Sequence, residues 1–420
     1  MGAGLRFAMV TTFYPPYNFG GDGIYVRRLA HALARRGHHV EVIHDADAYL
    51  SLAKAPPPEP EPEPHGIEVH RLKSQMGPLS SLAVQQLGRP VFQHARLKAL
   101  LEDRFDVIHY HNVSLVGGPG VWAYGTGLKL HTAHEHWIVC PSHILWRYNR
   151  EVCDGQKCLS CVLSYGRPPQ LWRMGGHLEA QARHVDAFLM LSQSAADNHR
   201  AFGFEAPMRL VPSFLPADTG AAPAQTPPAH PRPYFLFVGR LEIIKGLQDI
   251  IPHFTKPAAP ADLLIAGAGE YEPELRRLAG DSPHIRFLGR QPMTALKGLY
   301  RDALAVLTPS RCYEVFPMVV LEAFQEGTPI IARRLGPFPE IVSGTGGGLL
   351  FDSADELAQS LDRMASDVPF RARCSSAARS AFETRWSERV AMDAYFAVIR
   401  ELAEKKGLSG LLARLDRIAA

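Results

Sequence analysis

Two glutamates spaced eight residues apart, Glu314 and Glu322, are the acidic side chains best placed for chemistry in this 420-residue sequence. Glu314 lies in a predicted loop before a helix, where an exposed carboxylate can hydrogen-bond the hydroxyl groups of a ligand. Glu322 lies within the apolar run of that helix, where an unpaired charge would be costly. We therefore expect Glu322 to have a donor partner, which ligand hydroxyl groups at the end of a cleft would supply.

The helix that carries Glu322 also offers backbone donors. At 3.6 residues per turn, Glu322 shares a face with Met318 and Val319, whose amides belong to the first turn and lack partners within the helix. One edge of this helix can therefore bind both phosphate and hydroxyl groups.

The residues around this helix predict a strand, a loop, a helix and a second strand. Residues 304–308 and 330–332 are short apolar runs of strand type. Pro317 suits the first turn of a helix, and Gly327 is typical of a helix end. The segment is therefore predicted to be a βαβ unit.

Two basic residues follow another predicted strand, residues 234–238. Arg240 and Lys245 lie just past its end, where they can neutralise the charge that develops on a leaving diphosphate. Surface charges unrelated to chemistry are the alternative interpretation.

These motifs resemble a known signature. Two glutamates separated by seven residues and followed by Ala-x3-Gly-x-Pro-Ile resemble the signature of the retaining glycosyltransferases of family four. The Gly-Arg-Leu triplet and the Lys-Gly pair within residues 239–246 also resemble a segment of that family. The resemblance implies transfer of a hexose from a nucleoside diphosphate sugar to an acceptor hydroxyl, with retention at the anomeric carbon. It implies that Glu314 holds the sugar, Glu322 the ribose, and Arg240 and Lys245 the diphosphate, with no catalytic metal and no protein nucleophile.

Glycine-rich loops provide further candidates. Gly20 and Gly21 lie between a predicted strand and a helix, where a ligand or a plain tight turn would explain them equally well; relatives place such a loop beside the donor. The resemblance also places Gly267 and Gly269 near the nucleotide and Arg290 beside its base.

Histidines follow two predicted strands of the first half, residues 106–111 and 128–133. Polar side chains at the carboxyl ends of parallel strands point into the ligand crevice. The resemblance assigns His134 to the donor sugar and the developing charge. The alternative is a histidine that only caps the sheet edge.

The segment that least resembles the family contains four cysteines. Cys140, Cys153, Cys158 and Cys161 are spaced C-x12-C-x4-C-x2-C, and four thiolates at such intervals can close a tetrahedral zinc site. Reduced thiols in an irregular loop, disulfides and an iron–sulfur cluster remain alternatives. The surrounding insert, about residues 137–172, is expected to shape the acceptor pocket.

Composition restricts the class of protein. Lys plus Arg is 45 against Asp plus Glu at 42, a balance that does not favour nucleic-acid binding. No apolar run reaches a membrane span or a signal peptide, so we expect a cytoplasmic protein. A predicted helix over 91–105, with Arg96, Lys98 and Arg104, could contact anionic lipid at the inner face of the membrane or be a solvated face.

The alternation of strands and helices predicts an α/β fold with two doubly wound Rossmann-like domains facing a cleft, the GT-B architecture. The expected N-terminal acceptor-side domain is 1–215, completed by 387–420 because relatives send the last helix back across it. The expected nucleotide-sugar domain is 230–386, after a Pro-rich linker.

Two smaller segments of the sequence also have predicted roles. The Pro-Glu run of 56–64 is predicted to be an extended segment on the surface, and Asp45-Ala46-Asp47 is either a chance triplet or a metal-binding motif.

A nucleotide-sugar epimerase of the same fold and a non-catalytic zinc-stapled binding protein are the alternatives to a glycosyltransferase. The acceptor can be a glycan, a lipid-linked sugar or a small molecule.

Overall fold

The computed structural model describes residues 4–53, 55–155, 157–216, 230–256, 259 and 261–419. Its first part contains nine strands: β1 (Arg6–Thr11), β2 (His39–Asp45), β3 (Ile67–Leu72), β4 (Val107–Tyr110), β5 (Leu128–Ala133), β6 (Trp146–Arg147), β7 (Glu151–Val152), β8 (Ala187–Met190) and β9 (Met208–Leu210). The helices between them are α1 (Gly21–Arg35), α2 (Ala46–Leu52), α3 (Pro78–Leu87), α4 (His94–Leu101), α5 (Cys158–Ser164), α6 (His177–Ala182) and α7 (Gln193–Ala201).

The second part repeats the alternation. Its strands are β10 (Tyr234–Val238), β11 (Asp262–Ala266), β12 (Ile285–Gly289), β13 (Val306–Thr308), β14 (Ile330–Arg333) and β15 (Gly348–Phe351). Its helices are α8 (Leu247–Ile250), α9 (Glu272–Ala279), α10 (Met293–Asp302), α11 (Met318–Gln325), α12 (Phe338–Thr345), α13 (Ala354–Ser366) and α14 (Val368–Ala381), and the chain continues into α15 (Glu388–Lys405) and α16 (Ser409–Ala419).

Two parallel sheets result. The first has the order β3-β2-β1-β4-β5-β8-β9 and the second the order β12-β11-β10-β13-β14-β15. Each order reverses once, between β1 and β4 in the first sheet and between β10 and β13 in the second. Ligands of doubly wound sheets bind beyond the carboxyl ends of the strands at such reversals. The predicted fold class is therefore confirmed, and the two reversals mark where to look for a site.

Helices cover both faces of each sheet, which explains the apolar strands. The run Tyr234–Val238 is almost entirely apolar and nearly fully buried, as expected of a strand with helices on both sides. Separate apolar clusters fill the two faces of the first sheet and the two faces of the second.

The last two helices cross back to the first sheet, as predicted. Tyr395 and Ile399 of α15 are buried in the same apolar cluster as the residues of β1. The Tyr395 hydroxyl lies 3.0 Å from Nδ1 of His109 in β4. Arg414 of α16 donates through Nη1 to Asp106 Oδ2 at 2.8 Å, beside the start of β4.

Two local expectations differ from the structure. The helix predicted over 91–105 is limited to α4, because its C-cap residue Glu102 takes an extended conformation at φ −73° and ψ 123°, and Asp103 follows in a left-handed conformation at φ 41°. The helix α3 was not anticipated, because several of its apolar residues point outward and break the amphipathic pattern.

The Pro-Glu run lies along α1. Arg27 Nη1 is 2.6 Å from a carboxylate oxygen of Glu61, and His31 Nε2 is 2.7 Å from Glu63 Oε2. The Asp45 side chain accepts from the amide of Asp47 at 2.8 Å as the N-cap of α2, so this triplet is explained by helix capping.

Candidate functional site

A partly buried ion pair lies at the strand reversal of the second sheet. Lys245 ends a single 3-10 turn that follows β10, and Glu314 lies in the loop that follows β13. Lys245 Nζ donates to Glu314 Oε1 at 2.7 Å, and the Ser310 hydroxyl donates to the same oxygen at 2.8 Å. The segments that follow the two strands at the reversal, β10 and β13, therefore each contribute one charged side chain.

The electrostatics of this pair keep both groups charged. Burial opposes the charge on Glu314, but Lys245 and Ser310 outweigh it, so the pKa of Glu314 lies below its ordinary value. Burial likewise opposes the charge on Lys245, and Glu314 outweighs it, so the pKa of Lys245 is raised. The ammonium group is therefore a permanent cation at the edge of the sheet.

Arg240 adds a second cation near this pair. Its side chain is 63% exposed, and its Nη1 lies 2.7 Å from Glu242 Oε1. The positive charge of Arg240 helps to lower the pKa of Glu314, and it opposes part of the rise in the pKa of Lys245. Arg240 therefore lies within electrostatic range of both groups. A phosphate group could compete with Glu242 for this exposed guanidinium.

Glu322 is held on α11 by a partner that the sequence did not suggest. We expected ligand hydroxyl groups to satisfy it, but Tyr300 Oη of α10 donates to Glu322 Oε2 at 2.8 Å. Burial raises the pKa of Glu322, and Tyr300 and the Arg28 guanidinium oppose that rise. Within the described residues Oε1 has no hydrogen-bond partner, so one oxygen remains for a ligand.

Arg28 connects the two halves of the site. It lies on α1 of the first part of the chain, and burial lowers its pKa while the carboxylate of Glu322 raises it. The Arg28 guanidinium of α1 and the Glu322 carboxylate of α11 therefore lie within electrostatic range of each other.

The amino terminus of α11 points to the same edge. Met318 and Val319 are the first two residues of the helix, after Pro317 at the N-cap rather than in the first turn. Their amides are among the donors that a helix leaves unpaired, and the helix dipole adds positive potential there. The edge that carries Glu314 thus also carries backbone donors.

The predicted glycine loops fall into two kinds. A side chain at Gly21 would meet nothing within 4 Å, so the space beside α1 is open. Gly267, by contrast, has a φ of +150°, and an added Cβ would lie 1.8 Å from the carbonyl oxygen of Gly239. A Cβ at Gly269 would likewise lie 2.2 Å from the Leu241 oxygen, so close packing of the loops after β10 and β11 already explains both glycines.

His134 follows β5 and lies against another histidine. Its Nε2 is 3.0 Å from Nδ1 of His111, which follows β4, and its ring contacts Tyr25 with centroids 4.8 Å apart. Burial lowers the pKa of His134 to about 4, with Glu135 opposing, so its ring is neutral at pH 7. A neutral ring can donate one hydrogen bond to a ligand or to His111.

Arg290, which the resemblance placed beside the base of the nucleotide, lies just after β12 and is exposed.

All four predicted metal ligands line one small cavity. Cys140, Cys153, Cys158 and Cys161 surround about 20 Å³, roughly the space of a single ion or water. The described part of the chain offers one set of three candidate ligands with donor atoms within 4.8 Å of one another, His39, Glu41 and Glu68. No three of these four cysteine sulfurs therefore lie within 4.8 Å of one another.

The cysteine insert reaches the second sheet. Trp146 of β6 packs against Ile244 and Cys312, which flank the Lys245–Glu314 pair in sequence. The first and second parts also meet where Ser192 Oγ donates to the Val315 carbonyl at 2.6 Å. The loop that carries Glu314 is thus contacted by the first part of the chain.

Two family models match the chain, and together they span residues 19–381. The model described as Glycosyltransferase Family 4 matches residues 19–219, and the model described as Glycosyl transferases group 1 matches residues 218–381. The second match contains the Lys245–Glu314 pair and α11.

Similar proteins agree with these matches. A D-inositol 3-phosphate glycosyltransferase from Corynebacterium diphtheriae is 25% identical, over 89% of this chain and 90% of its own length. Among solved structures, a sucrose-phosphate synthase from Thermosynechococcus elongatus has a TM-score of 0.68 at 21% identity, with 95% of this chain and 100% of that one covered. Anabaena HepE in complex with UDP and glucose has a TM-score of 0.69 at 18% identity, over 94% of this chain and 100% of that one.

The Lys245–Glu314 pair should make stability depend on acidity. The folded pKa of Glu314 lies below its ordinary value of 4.5, so its contribution is present above that pH and is lost as the pH falls through the folded pKa. We expect Glu314→Gln to lower the free energy of unfolding by about 3 kcal/mol at pH 7, and the difference from wild type to shrink below about pH 4.5. Urea unfolding between pH 3 and pH 7 measures both. Glu383→Gln, which alters an exposed pair with Arg379, should change little at any pH; a pH-independent difference for Glu314→Gln would contradict the assignment.

Proposed function

Because this chain belongs to the family-four glycosyltransferases of GT-B fold and is a glycosyltransferase, we propose that it transfers a hexose from a nucleoside diphosphate sugar to an acceptor hydroxyl with retention of configuration. The observation that carries this proposal is the Lys245–Glu314 pair at the strand reversal of the second sheet. Cations, helix amides and carboxylates lie at the point where a diphosphate and its two attached rings would fit.

Each group would have a separate role in the transfer. Lys245 and Arg240 would neutralise the negative charge that appears on the diphosphate as its bond to the anomeric carbon breaks. The amides of Met318 and Val319 would donate to the same phosphate oxygens. Glu314 would accept hydrogen bonds from the sugar hydroxyls, and the open oxygen of Glu322 would accept from the ribose.

The first part of the chain would complete the cleft. His134, neutral at pH 7, would donate to the donor sugar near the reacting carbon. The Gly20-Gly21 loop would allow the donor to approach α1 closely, and Gly267, Gly269 and Arg290 would border the nucleotide.

The proposed reaction needs no nucleophile from the protein. The bond between the anomeric carbon and the diphosphate oxygen breaks while the acceptor oxygen bonds to the same carbon on the same face. The leaving phosphate oxygen takes the acceptor proton, so charge and protons balance.

A nucleotide-sugar epimerase of this fold would instead consume the donor without an acceptor. An assay that follows sugar transfer to an acceptor distinguishes the epimerase from the transferase.

We also propose that the four-cysteine cavity takes a zinc ion. Its cysteines are free, and a cavity of about 20 Å³ admits one ion. Because the sulfurs lie beyond mutual ligand distance, binding would require the thiols to turn inward to Zn–S distances of about 2.3 Å. The ion would fix the irregular insert and would have no part in the chemistry.

A contact with a membrane surface is the third part of the proposal. The basic segment around α4 is less suited to it than expected, because Arg104, which follows the helix, pairs with Glu41, and only Arg96 and Lys98 of the three basic residues are exposed. Exposed apolar side chains cluster instead on α3 and the 3-10 turn 171–175 that it contacts: Leu79, Leu82, Leu87, Leu171 and Met174. Among the described helices none is long and apolar enough to cross a bilayer, so this contact would be peripheral.

Removing the ammonium group should slow transfer. We expect Lys245→Ala to lower turnover roughly 100-fold or more at saturating donor, because a charge that stabilises the leaving group is lost. Turnover is measured by release of nucleoside diphosphate from a panel of uridine, guanosine and adenosine diphosphate sugars. Lys245→Gln, which can still donate to Glu314, separates loss of charge from loss of folding, and Lys405→Ala on α15 is the matched control. Wild-type turnover by both Lys245 variants at saturating and limiting donor would remove Lys245 from the site.

The cysteine cavity should hold one zinc ion per chain. We expect metal analysis of protein purified without chelators to give a ratio near one, and Cys158→Ser combined with Cys161→Ser to abolish it. Cys374→Ser, which alters a buried cysteine of the second part, should keep the metal. Protein that contains no zinc and takes up none when zinc is added would contradict the proposal.

The apolar surface should bind vesicles. We expect full-length protein to co-sediment with vesicles of phosphatidylcholine and phosphatidylglycerol, and Leu82→Glu combined with Met174→Glu to abolish this, since each places a charge where an apolar group would enter the bilayer. Val368→Glu, at an exposed apolar residue of α14, is the control. Equal sedimentation of the wild type, the double variant and the control would show that this surface does not contact lipid.

A further inference from the structure

A cavity of about 400 Å³ lies between the cysteine insert and the second sheet. Trp146, Arg150 and Val152 form one wall, and Arg311, Arg333 and Arg334 line the other. The first wall comes from the β6–β7 hairpin of the insert, and the second from the segments that follow β13 and β14. None of these residues belongs to the Lys245–Glu314 site described above.

The arginines of this cavity exceed the acids that neutralise them. Arg311 and Arg333 share a single carboxylate, that of Asp249, at 2.8 Å from Arg311 Nε and 2.5 Å from Arg333 Nη2. Burial lowers the pKa of Arg333, and Asp249 offsets this only in part because Arg311 opposes it. One half-buried positive charge therefore remains without its own counter-charge.

The remaining two arginines add to this excess. Arg334 Nε lies 2.8 Å from Asp352 Oδ2, at the rim of the cavity. Arg150 is exposed and has no ion-pair partner among the residues that the structure describes. Four arginines against two aspartates leave an excess of two positive charges. That excess matches a phosphate or a carboxylate, which guanidinium groups bind in a two-pronged geometry.

The order of the second sheet places the cavity relative to the donor. Along the carboxyl edge, β12 and β11 come first, then β10 with Lys245, β13 with Glu314, and finally β14 and β15. Arg333 ends β14 and Asp352 follows β15. A donor whose nucleotide lies over β12–β10 and whose sugar lies at Glu314 would therefore have this cavity on the far side of its sugar.

The cavity adjoins the sugar end directly. The segment after β14 returns to the Glu314 loop, where a Cβ at Gly336 would lie 3.4 Å from the Glu314 amide nitrogen. The opposite wall, from the insert, contacts the segment before Lys245 through Trp146. The acceptor must approach the sugar from a side that the nucleotide does not occupy, and the cavity lies on that side.

We propose that this cavity binds an acidic group, phosphate or carboxylate, of the acceptor. The inference rests on the proposed transfer reaction, since it takes the position of the donor sugar from it. It also gives the cysteine insert a role, because Arg150 and Trp146 form the wall that would select the acceptor.

The test uses full-length protein saturated with uridine diphosphate, so that the diphosphate site is filled. The probes are glucose 6-phosphate and inositol 1-phosphate for a phosphate group, glucuronate for a carboxylate, and glucose as the neutral reference; their Kd is measured by calorimetry. We expect at least one acidic probe to bind and glucose not to. Arg150→Ala combined with Arg334→Ala should raise the Kd of that probe at least 10-fold while changing the Kd of uridine diphosphate less than twofold.

Arg200→Ala combined with Arg389→Ala, at exposed arginines of α7 and α15, is the matched control and should bind the probes as wild type does. The proposal is overturned if no acidic probe binds better than glucose, or if the Arg150 and Arg334 variant binds it as tightly as wild type. If uridine diphosphate does not bind, guanosine or adenosine diphosphate takes its place in the test. If none of the three binds, the donor assignment is wrong, and the same comparison of probes on the free protein still tests the arginine cavity.

Discussion

The site depends on one charge pair held at the reversal of a parallel sheet. Lys245 and Glu314 come from loops after neighbouring strands β10 and β13, and each keeps the other ionised where burial alone would neutralise it. A partly buried pair of this kind adds little stability compared with apolar residues of the same size, because desolvation offsets most of the attraction, whereas removal of one partner is costly because it leaves the other charge unpaired. The pair contributes to the site by its position, because it holds a cation and an anion 2.7 Å apart near the amino terminus of α11. A ligand with phosphate at one end and hydroxyl groups at the other would meet both charges.

The rest of the chain positions a second surface opposite this pair. The first sheet has its own reversal between β1 and β4, and α1 follows β1 with Arg28 facing Glu322. The Ser192 hydroxyl bonds to the Val315 carbonyl, which sets the Glu314 loop against α7. Because α15 returns to the core of the first sheet, the chain crosses between the two sheets twice. The cleft is therefore built from loops whose ends are anchored in rigid, buried strands.

Much of this arrangement follows from sequence, and the exceptions have physical causes. The spacing of Glu314 and Glu322, and the run around Lys245, predicted the family and the fold, because βαβ periodicity and motif spacing are local properties. The protein partner of Glu322 could not be predicted: Tyr300 lies 22 residues away, and nothing local reveals which side chain the folded chain brings to a carboxylate. The end of α4 depends on the extended conformation of one residue, Glu102, which periodicity does not detect. The arginine cavity joins residues 150 and 334, and only the tertiary fold brings them together.

Hydrogen exchange of the full-length protein, with and without a nucleoside diphosphate, tests the central claim most directly. Uridine, guanosine and adenosine diphosphate are compared, and the amides followed are those of residues 239–246 and 314–322. The account predicts that the diphosphate that binds slows exchange at Lys245 and at the first turn of α11, including Met318 and Val319. Slowed exchange confined to other segments, with both of these unchanged at saturating ligand, would contradict it.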